Sequence, residues 1–261
     1  FVYNSTLDQF IYKSGGLDDQ VPIDIQIALA NKLQKDLWSL FPLLFDDASC
    51  QAVTSRIKSL LSSGLSFWPE FDNELWNIGF SQTALADQIG TALGFHDANF
   101  FSAIFSFYGL RVRQISEAIR TTWSPRDASQ LKMVMAFQMA GNVTDNDNYR
   151  FKGQQLSSYG YNVAPNRPID YSDVMSYAPY YVGSHVFAVD GSYTGALTDL
   201  LAAADDYDSG VPASMESALD WLDNDLRAIS GTNQTLGYLN STYYPAWNTK
   251  AVTYDKDVAC Y

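Results

Sequence analysis

The stretch FWPEFDNELWNIGF, residues 67–80, decides the fold that the rest of the chain is expected to adopt. Its first residues have the aromatic and apolar character of a strand, and Asn73 and Glu74 follow where that strand would end. Trp76 comes next, at the start of an apolar helical spacing. Parallel α/β folds place active residues at the carboxyl ends of their strands, so an acid at this point is a candidate functional group.

Strand-like and helix-like segments alternate along the chain, which predicts βαβ units and a parallel sheet. We expect strands at 38–42, 65–74, 131–141, 171–181 and 255–261, and helices at 21–37, 46–64, 99–123 and 213–230. In the first helix, one face carries the apolar residues Ile25, Ala28, Leu29 and Leu33. The sequence contains none of the glycine-rich motifs that bind nucleotides. Residues 1–261 are expected to form a single domain.

Composition and charge exclude several classes of partner. The chain has 261 residues, of which 47% are hydrophobic, so it can bury a sizeable core. Its net charge of -13 argues against binding to nucleic acid, which needs clustered Lys and Arg. No apolar run approaches the roughly 20 residues that span a bilayer, so no membrane span is expected.

Four N-x-[ST] sequons favour a secreted, extracellular glycoprotein over chance occurrence. Their asparagines are Asn4, Asn142, Asn233 and Asn240. The two cysteines, Cys50 and Cys260, could form one long-range disulfide, which the sequence leaves open.

No metal or cofactor is expected from the sequence. The only histidines, His96 and His185, are far apart and have no zinc-ligand spacing. The TDNDN stretch at 144–148 lacks the glycine and the distal glutamate of a calcium loop.

Polar and aromatic residues follow several of the predicted strands. They would meet at one end of the sheet, at the opening of a binding site (the mouth). Besides Glu74, these are Gln138, Tyr177 and Tyr180. This combination suits a carbohydrate ligand, because carboxylates can act as acid and base, amides can hydrogen-bond hydroxyl groups, and aromatic rings can stack on sugar faces. The nearby acids Glu70, Asp72 and Asp173 could line the same mouth, and each is more simply a structural hydrogen-bond partner.

The stretch 69–80 resembles the Asn-Glu motif on strand four of the retaining glycoside hydrolases built on a (β/α)₈ barrel. It is closest to a group of secreted, glycosidase-like or cellulose-binding proteins whose pattern reads E-x-x-N-E-x-W-N. Further stretches that resemble strands three, five and six of this group lie, in order, at 21–42, 132–142 and 173–181.

The resemblance implies roles for individual residues. Glu74 would be the general acid and base of a retaining hydrolysis, and Asn73 would orient it or bond a substrate hydroxyl. Trp76, Gln138, Tyr177 and Tyr180 would contact the substrate. Aromatic surroundings such as Trp76 would raise the pKa of Glu74. Without the resemblance, a helix cap or an ion-pair partner is the simpler role for Glu74.

Two departures from the family pattern keep a second function open. Leu43 follows Pro42 where relatives carry a histidine, and the family's strand-seven nucleophile would fall one residue beyond Tyr261. We therefore expect an incomplete TIM-barrel-like segment, strands three to seven, of a longer or self-associating chain. The alternative to a hydrolase is a non-catalytic, glycosylated structural or carbohydrate-binding protein on the same scaffold.

Overall fold

The structure, a computed structural model, describes residues 2–4, 9–11, 21–138, 142–178 and 244–260. A short antiparallel pair joins β1 (Val2–Asn4) to β2 (Gln9–Ile11). The main feature is a five-stranded parallel sheet in which strands that follow one another along the chain are also neighbours. Its strands are β3 (Leu37–Phe41), β4 (Phe67–Phe71), β5 (Val134–Gln138), β6 (Val174–Ala178) and β7 (Asp257–Cys260). The predicted α/β class with a parallel sheet is confirmed.

Helices connect these strands. They are α1 (Ile23–Leu33), α2 (Asp47–Leu60), α3 (Ser81–Ala92), α4 (Ser102–Trp123) and α5 (Tyr244–Tyr254). The helices predicted at 21–37, 46–64 and 99–123 are confirmed with tighter ends, and α3 and α5 were not predicted. The helix predicted at 213–230 lies outside the described residues. Across the described ranges, no helix combines the length and the apolar character needed to cross a membrane.

The chain divides into two compact units, and each is described by itself. The first comprises Phe1–Ala136 and Thr144–Met175, and the second comprises Phe137–Val143 and Ser176–Tyr261. The stretch that opened the sequence analysis lies in the first unit. The single-domain organisation stays a prediction.

The pairing of β3 with β4 sorts their side chains onto two faces of the sheet. The parallel register runs from Leu37 opposite Phe67 to Phe41 opposite Phe71. On one face, Phe67 lies against Trp123 of α4, with 5.6 Å between ring centroids, so this face forms the core under the helices. Side chains alternate along a strand, so the tryptophans and Glu70 of this strand pair occupy the opposite face.

Helix α1 packs through a different face from the apolar one read in its sequence. Ile23, Ile27 and Ala30 are its buried residues. The face containing Ile25, Ala28, Leu29 and Leu33 is exposed instead, and these residues were the apolar set seen in the sequence. A helix that is apolar on more than one side gives no signal as to which side meets the core.

Cys50 is a free cysteine on the buried side of α2. The pairing of Cys50 with Cys260 that the sequence left open stays a prediction. Burial raises the pKa of the Cys50 thiol to about 12, so the thiol stays protonated at neutral pH.

Helices α3 and α4 approach closely at Gly90. A Cβ atom at this position would collide with the backbone carbonyl group of Ala103 in α4. A backbone group of a packed helix can yield only if the helix itself moves, so the contact requires glycine.

We expect Gly90→Ala to lower the free energy of unfolding by about 1–3 kcal/mol because it overpacks this contact. Gly64→Ala is the matched control, since a Cβ at Gly64 meets nothing within 4 Å. The control should change stability by no more than about 0.5 kcal/mol in urea denaturation. Equal effects of the two substitutions would contradict the close approach of α3 and α4.

Candidate functional site

The loop after β4 holds two non-glycine residues in the left-handed backbone region. Asp72 has φ 54° and Glu74 has φ 48°, with Asn73 between them. Left-handed backbone is costly for a residue with a Cβ, and such residues cluster at functional sites. Two hydrogen bonds hold this geometry: the Asp72 N–H donates to the carbonyl oxygen of Phe41 (2.8 Å), and Asp72 Oδ1 accepts the Asn73 N–H (2.9 Å).

Glu74 is half-buried at the outer end of this loop. Its Oε2 accepts a hydrogen bond from Asn77 Nδ2 at 3.0 Å. The residue before the first turn of α3 is Phe80, so Glu74 does not cap that helix. Asn73 is also half-buried, and its carbonyl oxygen accepts a hydrogen bond from Gln82 Nε2 at 3.3 Å. The loop therefore leaves part of both side chains open to solvent.

Glu70, the last residue but one of β4, is the most deeply buried acid of this strand end. Its side chain is 1% exposed, and its Oε2 accepts a hydrogen bond from Trp38 Nε1 at 2.7 Å. Burial raises the pKa of Glu70 to about 8, although the indole bond opposes the shift. The negative charges of Asp72 and Glu74 raise it further.

Asp72 is buried as well, with a residue exposure of 5%. Desolvation raises the pKa of Asp72 to about 6, against the opposing hydrogen bond from the Asn73 N–H. The sequence analysis placed a raised carboxyl pKa at Glu74 and assigned Glu70 and Asp72 to structural bonding. In the structure, burial raises the pKa of Glu70 and Asp72, because these side chains lie under the loop and not at its outer end.

Two tryptophans stand beside Glu70 on the same face of the sheet. The rings of Trp38 and Trp68 stack with 5.7 Å between centroids and 13° between planes. Both rings are half-exposed, and a hydrogen bond from the indole N–H fixes each of them. Trp38 donates to Glu70, and Trp68 Nε1 donates to Asp36 Oδ2 at 3.2 Å. We call Trp38 and Trp68 the indole pair. Neither residue was proposed from the sequence, because their contact depends on the register of β3 and β4.

Trp76, in contrast, is 7% exposed and packs inward. Its ring lies 5.6 Å from the Cζ atom of Arg150, which is fully buried. Arg150 belongs to a π-helical turn, Asn146–Phe151, and its Nη1 donates to the carbonyl oxygen of Ala136 at 2.6 Å. No sequence pattern indicates a role for this arginine, since a single π-helical turn leaves no periodic pattern.

Tyr108 of α4 lies beside the buried arginine. The Arg150 Cζ lies 4.4 Å from the Tyr108 ring centroid, and the Tyr108 hydroxyl accepts the Ala136 N–H at 2.8 Å. Burial raises the pKa of Tyr108, and the charges of Glu70 and Asp72 act in the same direction.

Asp173, the third nearby acid, has a structural role as expected. Its Oδ2 accepts hydrogen bonds from Arg120 Nη2 and from the Met133 N–H, both at 2.7 Å. These bonds tie α4 to the start of β5 and β6.

The other predicted site residues lie in the second unit or outside the described residues. Gln138 is the half-buried last residue of β5. Tyr177 lies within β6 and not after it. It is 6% exposed, and its ring packs against the rings of Phe137 and Tyr244. Tyr180 is outside the described residues. The convergence of these groups with Glu74 stays a prediction.

The sequons stay predictions too. Asn142 is exposed and lies just before a short helical turn. Asn4 ends β1, and Asn233 and Asn240 lie outside the described residues.

Among the described residues, no group of three or more His, Cys, Asp or Glu side chains could hold a metal ion. Comparison with protein-family models, with curated proteins and with solved structures finds no match. The site is therefore interpreted from its own geometry.

The buried carboxyl of Glu70 makes stability depend on pH in a defined direction. The pKa of Glu70 in the folded protein is about 8, above its ordinary value of 4.5. The stabilisation from keeping it neutral is complete below about pH 4.5 and is lost as the pH rises to about 8. For one such group, the free energy of unfolding falls at its steepest by about 1.4 kcal/mol per pH unit.

We expect Glu70→Gln to flatten this pH dependence, because glutamine still accepts the Trp38 N–H and carries no charge. Urea denaturation at about pH 5 and about pH 8 measures it. Glu117→Gln, which changes an exposed acid of α4, is the control and should keep the wild-type slope. Identical slopes for wild type and Glu70→Gln would contradict a neutral, buried Glu70.

Proposed function

We propose that this chain is a glycoside-hydrolase-like α/β domain that binds or cleaves polysaccharide along the face of β3 and β4 that carries Trp38, Trp68 and Glu70. The observation that carries the proposal is the indole pair: two half-exposed, parallel tryptophan rings, each fixed through its N–H by a carboxyl group. Rigid aromatic rings flanked by hydrogen-bonding acids suit the apolar faces and hydroxyl groups of sugars.

The arrangement of strands supports a barrel-like scaffold. In a (β/α)₈ barrel, strands consecutive in the chain are neighbours throughout, whereas a doubly wound sheet reverses its order at a switch point. The order β3-β4-β5-β6-β7 has no reversal. It fits strands three to seven of a barrel, and the TIM-barrel-like fold remains part of this proposal.

If the domain is catalytic, Glu74 is the general acid and base of a retaining mechanism. It lies after β4 and is half-exposed, so a substrate oxygen can reach it, and its Oε2 accepts a hydrogen bond from Asn77. Retaining hydrolysis also needs a second carboxyl group about 5 to 5.5 Å away. The family pattern supplies it from strand seven.

The second candidate function is a non-catalytic, glycosylated extracellular protein that binds carbohydrate or builds a structure on the same scaffold. The exposed sequon at Asn142 and the leucine at position 43, in place of the family's histidine, favour it. Both candidates use the indole pair, and only the first needs Glu74.

We expect Trp68→Ala to weaken binding of cellohexaose or xylohexaose by at least about tenfold, because the stacking surface is lost. Phe100→Ala is the matched control, since Phe100 is an exposed aromatic residue outside the indole pair. Isothermal titration calorimetry measures both variants against wild type. Equal losses for the two variants, or no loss for Trp68→Ala, would place the ligand elsewhere.

Glu74→Gln separates the two candidate functions. A catalytic domain should lose about 10²–10⁴-fold in hydrolysis of unactivated oligosaccharides, because general acid–base catalysis contributes that factor. Oligosaccharide binding should persist. Asp87→Asn, in α3, serves as the control acid substitution. Unchanged turnover in Glu74→Gln would remove Glu74 from the catalytic role.

A further inference from the structure

Asp36, the residue just before β3, joins the start of β4 to one ring of the indole pair. Its Oδ1 accepts the Ser66 N–H at 2.8 Å, and its Oδ2 accepts the indole N–H of Trp68 at 3.2 Å. A carboxylate has about four acceptor positions, and these two bonds use two of them. Because Asp36 is exposed, its carboxylate can accept further hydrogen bonds from a ligand that lies beside the Trp68 ring.

No neighbouring cation cancels the charge of this carboxylate. Lys35 precedes Asp36 in the chain and is exposed, but within the described ranges no Lys or Arg side chain forms an ion pair with Asp36. Burial raises the pKa of Glu70, the acid bonded to Trp38, to about 8, so that carboxyl group adds little charge at neutral pH. Of the two acids that fix the indole pair, Asp36 is therefore the one that presents a negative charge to a ligand.

A tryptophan ring with an exposed carboxylate at its edge suits a cationic ligand. Among aromatic side chains, tryptophan attracts ammonium groups most strongly through the face of its ring. A hydrogen bond from an ammonium group to a carboxylate is also stronger than one between neutral groups. The net charge of -13 on the chain acts in the same direction, because it attracts cations to the surface and repels anions.

We propose that the indole pair selects sugars that carry an ammonium group and that Asp36 determines this specificity. The apolar face of a hexosamine lies on the Trp68 ring, and its ammonium group donates to the Asp36 carboxylate. Uronic acids and sulfated sugars are repelled by the same charge. Neutral sugars use the ring surface alone and bind more weakly. The inference rests on the proposed function, since it places a carbohydrate on the indole pair, and it names the class of carbohydrate.

Three β-1,4-linked hexasaccharides test the proposal, because they share a backbone and differ only in the substituent at carbon 2. Cellohexaose carries a hydroxyl group there, the N-acetylglucosamine hexamer a neutral amide, and the glucosamine hexamer an ammonium group. Each is titrated into the full chain by calorimetry at about pH 5.5, above the ordinary pKa of an aspartate. We expect the glucosamine hexamer to bind at least about fivefold more tightly than either neutral hexamer, and this preference to shrink in high salt.

Three variants assign the preference to this site. Asp36→Asn removes the charge, so its preference for the glucosamine hexamer should fall to about twofold or less. The ratio of two affinities measured on one variant corrects for any displacement of the Trp68 ring. Trp68→Ala should weaken binding of every hexamer that binds to wild type. Asp87→Asn removes an acid of α3 and the same unit of charge, and as the control it should keep the wild-type preference.

Failure of the inference differs from failure of the proposed function. Neutral hexamers that bind as tightly as the glucosamine hexamer, with binding lost in Trp68→Ala, would leave the carbohydrate site in place and overturn the ammonium specificity. A preference that persists in Asp36→Asn would be a general attraction of cations to an acidic chain, and it would overturn the inference as well. If none of the three hexamers binds, the proposed function fails and the inference fails with it.

Discussion

The hydrogen bond from the Trp38 indole to Glu70 joins the two halves of the candidate site. It crosses from β3 to β4, fixes one ring of the indole pair and holds one oxygen of a buried acid. The bond exists because the parallel register aligns the two strands residue by residue, from Leu37 with Phe67 onward. A shift of that register by one residue would move Trp38 to the core face and leave Glu70 buried without its donor.

The loop after β4 has an unfavourable backbone conformation, and contacts with the surrounding residues stabilise it. Left-handed backbone at Asp72 and Glu74 is unfavourable, and the bonds from Asp72 to Phe41 and Asn73 compensate for it. This geometry turns Asp72 inward and leaves Glu74 half-exposed. Two acids separated by one residue thereby reach different environments, which is how a single loop can hold one buried and one accessible carboxyl group.

Local patterns allowed much of the fold to be predicted. The apolar runs around 38–42 and 65–74 identified β3 and β4, and the acids before 48 marked the start of α2, where Asp46 accepts the Ser49 N–H. Helix α1 was found but its buried face was not, because apolar residues occur on both sides and only the tertiary packing chooses between them.

The site was predictable only in outline. The strand end carrying Glu74 was visible in the sequence, whereas the importance of Glu70 depends on a tryptophan 32 residues away. The buried Arg150 depends on a π-helical turn, and the indole pair depends on strand register. These features arise from non-local pairing, which local propensity does not encode.

The measurement that tests the central claim most directly is an NMR titration of the tryptophan indole N–H resonances with cellohexaose and xylohexaose. The account predicts that the signals of Trp38 and Trp68 shift together, because their half-exposed rings form the binding surface. The buried indoles of Trp123 and Trp247 should stay unchanged. Saturable shifts that leave Trp38 and Trp68 unaffected, or no shift with either sugar, would contradict a carbohydrate site on this face of β3 and β4.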